Sequence, residues 1–414
     1  MGRLLIAALV ALASAETGAI ELAEGHDATI GIEAGYVHID GYPSWTDGAY
    51  GKLRYSDDGF VLHRAFLDYR GRLADTVSAH VALEAYDDGL GNAVDLTEAY
   101  VEWRPLPRSA TRYRVKLGMF FPRLSLENTD PGWSSPYTLN ASAINAWVAE
   151  EIRTTGIDLS ISHRPVSLGG RHTFSIDVSA FGGNDPAGSL LAWKGWSVHD
   201  RQTRPGDDLP LPPVPELQPG GMFGHQEPYA EPLLELDHAL GYFVNLEWRM
   251  GRQLLVRVAR YNNEADPALL KKGQYGWHTE FDHVGIQATL PWRLGLFAQW
   301  MAGTTVMGPW LGEWHPVDAA YEASYLMLTR AIDRHRVTLR YDDFTVTDKD
   351  EIAGDDNGEV GHAWTVSYQY AFSDAATIAL EWVGIRSVRP AFEYFGAATH
   401  VTERQAQVAI RLRF

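Results

Sequence analysis

The chain has 414 residues, 53 acidic against 35 basic side chains for a formal charge of −18, no cysteine, and 45% hydrophobic and 12% aromatic residues. The charge speaks against nucleic acid as a partner, because phosphate binding needs a positive field, and the absence of thiols excludes a disulfide framework, a cysteine nucleophile and a cysteine-built zinc or iron–sulfur site. The apolar share is too high for a disordered chain, and length alone suggests two or three domains.

The first segment, MGRLLIAALVALASA, carries Arg3, an apolar run from Leu4 to Ala13, and small residues at Ala13 and Ala15. This pattern predicts a secretory signal over 1–15 and a mature chain over 16–414. Loss of Arg3 takes the formal charge from −18 to −19. A short membrane anchor is the other reading, but the run is shorter than the roughly 20 residues a spanning helix needs. No later apolar run reaches about 18 residues, so membrane insertion is expected only through a β-barrel.

From there a period-two alternation recurs to the end of the chain. In 111–121, Tyr113, Val115, Leu117, Met119 and Phe121 oppose Arg112, Arg114 and Lys116. In 154–162, Ile157, Leu159 and Ile161 oppose Asp158, Ser160 and Ser162. In 240–250, Tyr242, Val244, Leu246 and Trp248 oppose Asn245, Glu247 and Arg249. In 334–344, Val337, Leu339 and Tyr341 oppose Arg336, Thr338, Arg340 and Asp342. In 363–372, Trp364, Val366, Tyr368, Tyr370 and Phe372 oppose Thr365, Ser367 and Gln369. In 404–414, Ala406, Val408, Ile410, Leu412 and Phe414 oppose Gln405, Gln407, Arg411 and Arg413. Strands with one charged face and one large apolar face suit water inside and lipid outside.

The alternation predicts 16 strands, near 28–38, 60–73, 77–87, 94–104, 111–121, 154–162, 172–181, 240–250, 254–262, 278–290, 294–303, 318–329, 334–344, 363–372, 376–385 and 404–414. Counts of 14 or 18 are the alternatives. Many run longer than the usual five to six residues and match a tilted bilayer crossing of roughly 9 to 11. Joins after even-numbered strands are mostly tight, and joins after odd-numbered strands are mostly long, as in an outer-membrane barrel with an even strand number. The fold class is thus all-β: a single-domain transmembrane antiparallel barrel. Two connections stand out. Residues 182–239 hold nine of the 21 prolines and read as a long external loop, with an interdomain linker as the other reading. Residues 122–153 form the third long loop.

The ending VAIRLRF, closing on Phe414, resembles the C-terminal signature of bacterial outer-membrane proteins, which implies recognition of that strand by the barrel assembly machinery. The segment from Lys116 to Leu159 is similar to the porin family that includes phosphate-selective porins, through Gly118, Phe120 or Phe121, Pro122, Ser125, Leu126 and Glu127. RAFLDYRGR, Arg64 to Arg72, is similar to that family's second-strand pattern. The resemblance implies that the third loop folds inward as a constriction, and it implies a homotrimer.

A barrel of about 16 strands leaves an aqueous channel whose lining sets selectivity. The strand phase predicts basic lining residues Arg64, Arg70, Arg72, Arg112, Arg114, Lys116, Arg249, Arg336, Arg340, Arg411 and Arg413. The acidic candidates are Asp68, Glu84, Glu98, Glu102, Asp158, Asp177, Glu247, Glu322 and Glu381. The loop adds Arg123, Glu127, Asp130, Glu150, Glu151 and Arg153. One reading is a transverse field, with the Arg112–Arg114–Lys116 row facing an acidic loop. The other is a solvated wall whose charges pair with strand neighbours. Interleaved carboxylates argue against phosphate as the solute. Trp103, Trp248, Trp292, Tyr370, Phe372 and Phe414 fall near the short-turn ends and read as a membrane-interface girdle; a sugar slide is the sharper alternative.

No G-x-S-x-G elbow, H-E-x-x-H pair or P-loop occurs, and adjacent Ser162 and His163 point to opposite strand faces. The expectation is a non-enzymatic porin without metal or cofactor, in the outer membrane of a Gram-negative bacterium, passing small hydrophilic or ionic solutes. Lipid and lipopolysaccharide are its expected surroundings. The alternatives are a substrate-specific channel for anions, small organic acids or sugars, and a receptor or adhesin barrel using the 182–239 loop.

Overall fold

Alternating side chains let a strand bury one face and expose the other, and a sheet built only from such strands removes its edges by closing. The computed structural model describes residues 20–350 and 352–414. The expected signal at 1–15 lies outside the described residues. A closed antiparallel barrel of 16 strands follows. They are β1 (His26–Asp40), β2 (Gly59–Ala74), β3 (Val77–Ala85), β4 (Val94–Trp103), β5 (Thr111–Phe120), β6 (Thr154–His163), β7 (His172–Gly182) and β8 (Gly241–Met250). They continue as β9 (Leu254–Asn262), β10 (His278–Leu290), β11 (Leu294–Met307), β12 (Val317–Ile332), β13 (His335–Asp348), β14 (Glu359–Ala371), β15 (Ala376–Val388) and β16 (His400–Arg413). A short strand, Ile20–Ala23, folds back on the start of β1.

The last strand pairs with the first, in register from Gly31 with Arg413 to Asp40 with Arg404. Phe414 completes the seam: its N–H donates to the Ile30 carbonyl at 2.9 Å, and its carbonyl accepts from the Ile30 N–H at 3.0 Å. The strand count matches the alternation, but the ends differ. Strands β11 and β13 to β16 run three or four residues further toward the long loops than expected, because paired hairpin arms keep extending the ladder, as from Gly295 with Thr329 to Met307 with Val317. At the other end the joins are shorter, down to two residues at 75–76 and 333–334, and Asp333 takes the left-handed φ of 52° in such a turn.

The outer face carries Leu117, Ile157, Leu246, Val258, Leu339 and Trp364, all exposed. Trp103, Trp292 and Phe372 are exposed near the short-turn end. Glu322 departs from its expected lumen position. Ala319, Tyr321, Ala323 and Tyr325 take the inner face of β12, so the opposite parity leaves Glu322 outside, where its carboxylate accepts from the Trp300 indole at 2.8 Å.

The inside is largely filled. The third loop carries helix α1 (Ala143–Glu151), whose residues are all buried. Ser142 caps it by accepting from the Asn145 N–H. Trp147 sits 5.5 Å from Phe281 and 5.2 Å from Tyr321 between ring centroids, so the helix packs on an apolar part of the wall around β10 and β12. The loop expected to be wholly external also turns inward. Residues 184–204 are almost entirely buried and include the short helix α2 (Ser189–Lys194). Gly188 lets this turn approach the wall: its φ is 106°, and a Cβ there would lie 2.0 Å from the Thr305 hydroxyl.

Candidate channel interior

A loop drawn inside a barrel takes its peptide groups out of water, and each then needs a partner. The wall supplies them. Arg257 on β9, held by Glu247 at 2.7 Å, donates to the Leu124 and Ser125 carbonyls at 3.0 and 3.2 Å. Gln299 accepts from the Leu126 N–H at 2.9 Å. Arg340 donates to the Asn140 and Ala141 carbonyls at 2.9 and 2.8 Å. Glu381 accepts from the Leu139 and Asn140 N–H groups at 2.6 and 2.8 Å. Arg411 donates to the Ser135 and Thr138 carbonyls at 3.0 and 2.8 Å. Arg64 reaches the Gly132 carbonyl and Glu84. The third loop therefore crosses the lumen and is fastened on β2, β9, β11, β13, β15 and β16.

The acidic residues of that loop are fasteners too. Glu127 is fully buried, ion-paired with Arg340 at 3.1 Å, and accepts from the Ser142 N–H and the Asn145 amide. Asp130 pairs with Arg413. Glu150 meets Lys194 at 2.8 Å and His199 at 2.6 Å, joining the third loop to the fourth. The Arg201 N–H donates to Nδ1 of His199, which leaves the proton on Nε2, facing Glu150. Burial works against the charged form of Glu150, but Lys194 and His199 outweigh it and hold the carboxyl down at about 2. Glu151 accepts from the Gly188, Leu190 and Leu191 N–H groups at 2.9 to 3.0 Å and from the Trp147 indole at 2.6 Å. Burial pushes its carboxyl up to about 7 against the pull of those donors.

The expected transverse field is corrected by these contacts. Glu127, Glu150 and Glu151 do not face the Arg112–Arg114–Lys116 row, because each is buried against partners elsewhere. In the row, Arg114 binds the strand neighbours Asp158 and Asp177 at 3.2 and 3.3 Å, and Lys116 lies over the Tyr100 ring at 4.3 Å. Arg112 is exposed toward the short-turn end. Arg123 from the loop joins Asp177 and Glu247 at 3.5 and 3.2 Å. Arg70 is largely exposed beside Asp68, and Arg336 lies over the Tyr137 ring at 5.1 Å.

Several interior charges escaped the sequence reading. Arg257 was legible, since Val256 and Val258 turned outward put it inside. Lys52, Arg54, Lys194, Asp200, Arg201, Arg204 and Arg389 sit on loops or a strand end, where no periodicity marks a direction. Arg54 pairs with Asp200 at 2.8 Å, and Lys52 with Glu359 at 2.6 Å.

The two sides of the lumen differ. On β11 to β13 the inner face packs Phe297, Met301, Tyr321, Tyr325 and Met327 near α1, and among the described residues no buried side-chain N or O atom there lacks a partner. Buried atoms without a protein partner are densest on β14 to β16, β1 and β2, at Ser367, Gln369, Gln405, Gln407, Glu33 and His63; His80, Glu84, Arg114, Asn245, Tyr261 and His283 add single ones on β3, β5 and β8 to β10. Buried polar groups without protein partners are where water sits. Three cavities adjoin this side. One of about 360 Å³ at the long-loop end is lined by Asp47, Arg54, Tyr55 and Asp88. A middle one of about 10 Å³ is lined by Arg64, Ser135, His199 and Asp200. One of about 230 Å³ at the short-turn end is lined by Asp130, Arg334, Arg336, Arg411 and Arg413. Arg54 of the first pairs with Asp200 of the second, and Arg411 of the third donates to the Ser135 carbonyl of the second, so the three lie next to one another.

No family model matches the chain, and no curated protein matches it in sequence. Solved structures do match in fold. OmpT of Vibrio cholerae with loop L8 deleted, an outer membrane protein, aligns with a TM-score of 0.53 at 9% identity, covering 94% of this chain and 99% of that one. The outer membrane channel DcaP of Acinetobacter baumannii aligns at 0.52 and 11% identity, covering 96% and 100%. An anion-selective porin from Comamonas acidovorans aligns at 0.51 and 12% identity, covering 94% and 99%. At such identities the likeness carries the fold, an outer-membrane barrel.

Proposed function

We propose that the chain is an outer-membrane porin that lets small hydrophilic or ionic solutes diffuse passively down the β14–β16 and β1–β2 side of its lumen. The observation that carries this reading is the asymmetry of the interior: one wall packed with apolar side chains, the other carrying buried polar groups without protein partners beside three successive cavities. An apolar outer face suits lipid, and a polar inner strip suits water. The DcaP and Comamonas structures are described as a channel and a porin, which is consistent with the proposal.

The middle cavity, about 10 Å³, has room for about one water. That narrowness favours the second reading, a channel selective for a small charged solute, over a wide general pore. At the short-turn mouth Arg334, Arg336, Arg411 and Arg413 outnumber Asp130, Asp333 and Asp374, which favours an anion. The Gly118–Glu127 motif supports the phosphate-selective-porin-like group, while Asp200, Glu33 and Glu84 along the route argue against phosphate itself. Export through the 1–15 signal, Phe414 as the assembly signal, contact with lipopolysaccharide and a homotrimer belong to the same proposal.

Planar-bilayer recording of the refolded chain tests it. Discrete open-channel steps, with a reversal potential in a salt gradient that reports the ion preference, are expected. A chain that inserts but never conducts would instead be a receptor or adhesin barrel.

A further inference from the structure

Where the fourth loop leaves β7 and returns to β8, it carries carboxylates that the proposed solute route does not use. Asp185, Glu235 and Asp237 each bring an oxygen within 4.8 Å of the other two. Asp185 is 1% exposed; Glu235 and Asp237 are half-buried and open the group to solvent on one side. The backbone holds all three. Asp185 Oδ2 accepts from the Leu236 and Asp237 N–H groups. Glu235 Oε2 accepts from the Gly183 N–H at 2.7 Å, and Asp237 Oδ2 from the Asp266 N–H at 2.6 Å.

Their charge is not balanced by the protein. Among the described residues Asp185 and Asp237 form no ion pair, and Glu235 has only His238 at 3.8 Å. Two lysines are close but turn elsewhere: Lys271 donates to the Leu236 carbonyl at 2.6 Å, and Lys272 to the Glu235 carbonyl at 3.5 Å. The other oxygen of Asp185, Oδ1, is buried with no hydrogen-bond partner. A buried acceptor that lacks a donor, set among further acceptors, calls for a positive ligand.

We propose that Asp185, Glu235 and Asp237 bind a divalent cation of the calcium class, with Asp185 Oδ1 as the buried ligand. Calcium takes six to eight oxygens at about 2.3–2.6 Å, so opposed ligands stand about 4.6–5.2 Å apart. The spacing of at most 4.8 Å meets that span. Magnesium demands near-ideal octahedral geometry and gives up its waters reluctantly, so a set of several carboxylates suits it less. A set of carboxylates alone is a poor zinc site. Waters on the open side complete the shell, and the ion ties the outgoing arm of the loop at 183–185 to its returning arm at 235–237.

The test uses the full chain refolded in detergent without lipopolysaccharide and stripped with a chelator. Calcium chloride alone is then titrated by calorimetry and equilibrium dialysis. One saturable site is expected, with a dissociation constant of about 10⁻⁴ to 10⁻³ M, the range of extracellular calcium modules. Asp185→Asn should abolish it. Glu235→Gln, at the solvent edge and able to keep the Gly183 hydrogen bond through its amide oxygen, should weaken it about tenfold or more. Terbium in place of calcium should show emission sensitised by Trp277, whose backbone N–H donates to the Asp185 backbone carbonyl at 2.7 Å. The inference is overturned if the wild-type chain shows no saturable binding at ten times that concentration, or if Glu235→Gln binds as wild type. Equal competition by magnesium would overturn the calcium assignment.

Discussion

Arg340 and Glu127 lie 213 residues apart and meet at 3.1 Å in the middle of the barrel, with neither side chain exposed. Arg340 also donates to two backbone carbonyls of the third loop and to Asp342 at 2.9 Å. One guanidinium thus joins the wall to the carboxylate and the backbone of the loop that crosses the lumen.

Removing it should release the loop. Arg340→Met leaves Glu127 buried and unpaired, a loss of about 3–5 kcal/mol for a broken buried pair. Urea unfolding should report that loss, and single-channel conductance should rise as the loop leaves the lumen. A variant as stable and as narrow as wild type would show that the pair does not hold the loop.

Acid should loosen the junction between the third and fourth loops. The Glu150 carboxyl is lowered from its ordinary 4.5 to about 2, with Lys194 and His199 overcoming the effect of burial. A group depressed in the folded state contributes stability that is present above its unfolded pKa and lost as pH falls through its folded value. The loss attributable to Glu150 should therefore develop between about pH 4.5 and pH 2. Glu150→Gln should be less stable than wild type at neutral pH, and the gap should close across that window. Parallel unfolding midpoints over the window would refute the assignment.

The chain's lack of cysteine makes the water route directly testable. Gln407→Cys, on the polar side, should react with a water-soluble cationic thiol reagent and lose conductance as it does. Ala323→Cys, packed within the apolar interior, should not react while folded. Equal labelling of both positions would place water on both sides of the third loop.

Ion preference should follow the short-turn cavity more than the β5 row. Arg114 already has carboxylate neighbours, whereas Arg334 and Arg336 line the short-turn cavity and, among the described residues, form no ion pair. Replacing Arg334 and Arg336 with Gln should move the reversal potential toward cation preference, and by more than neutralising Arg112, Arg114 and Lys116 together. The opposite order would return the selectivity to the β5 row.

Strand number, strand phase and the place of Phe414 were legible because each is a local property. Period two is imposed by the pleat, so Arg340 and Glu381 could be assigned to the inner face before any partner was known. Glu322 was misassigned because Ala319 and Ala323 are too small to mark a face that Tyr321 and Tyr325 define. The inward path of residues 184–204 was not legible, because a proline-rich loop carries no periodicity and its direction depends on contacts across the barrel.

By itself, then, the sequence determined a closed antiparallel sheet with a charged inside, since alternation constrains the strand faces residue by residue; 16 is the count it predicts beside 14 or 18, and the closed ladder settles it. Only the tertiary structure decided which charges remain beside water. Glu127 and Glu150 became loop fasteners and Arg54 came to pair with Asp200 beside the long-loop cavity, because a buried charge goes where a distant partner can offset its desolvation, and that partner is set by the closure of the barrel.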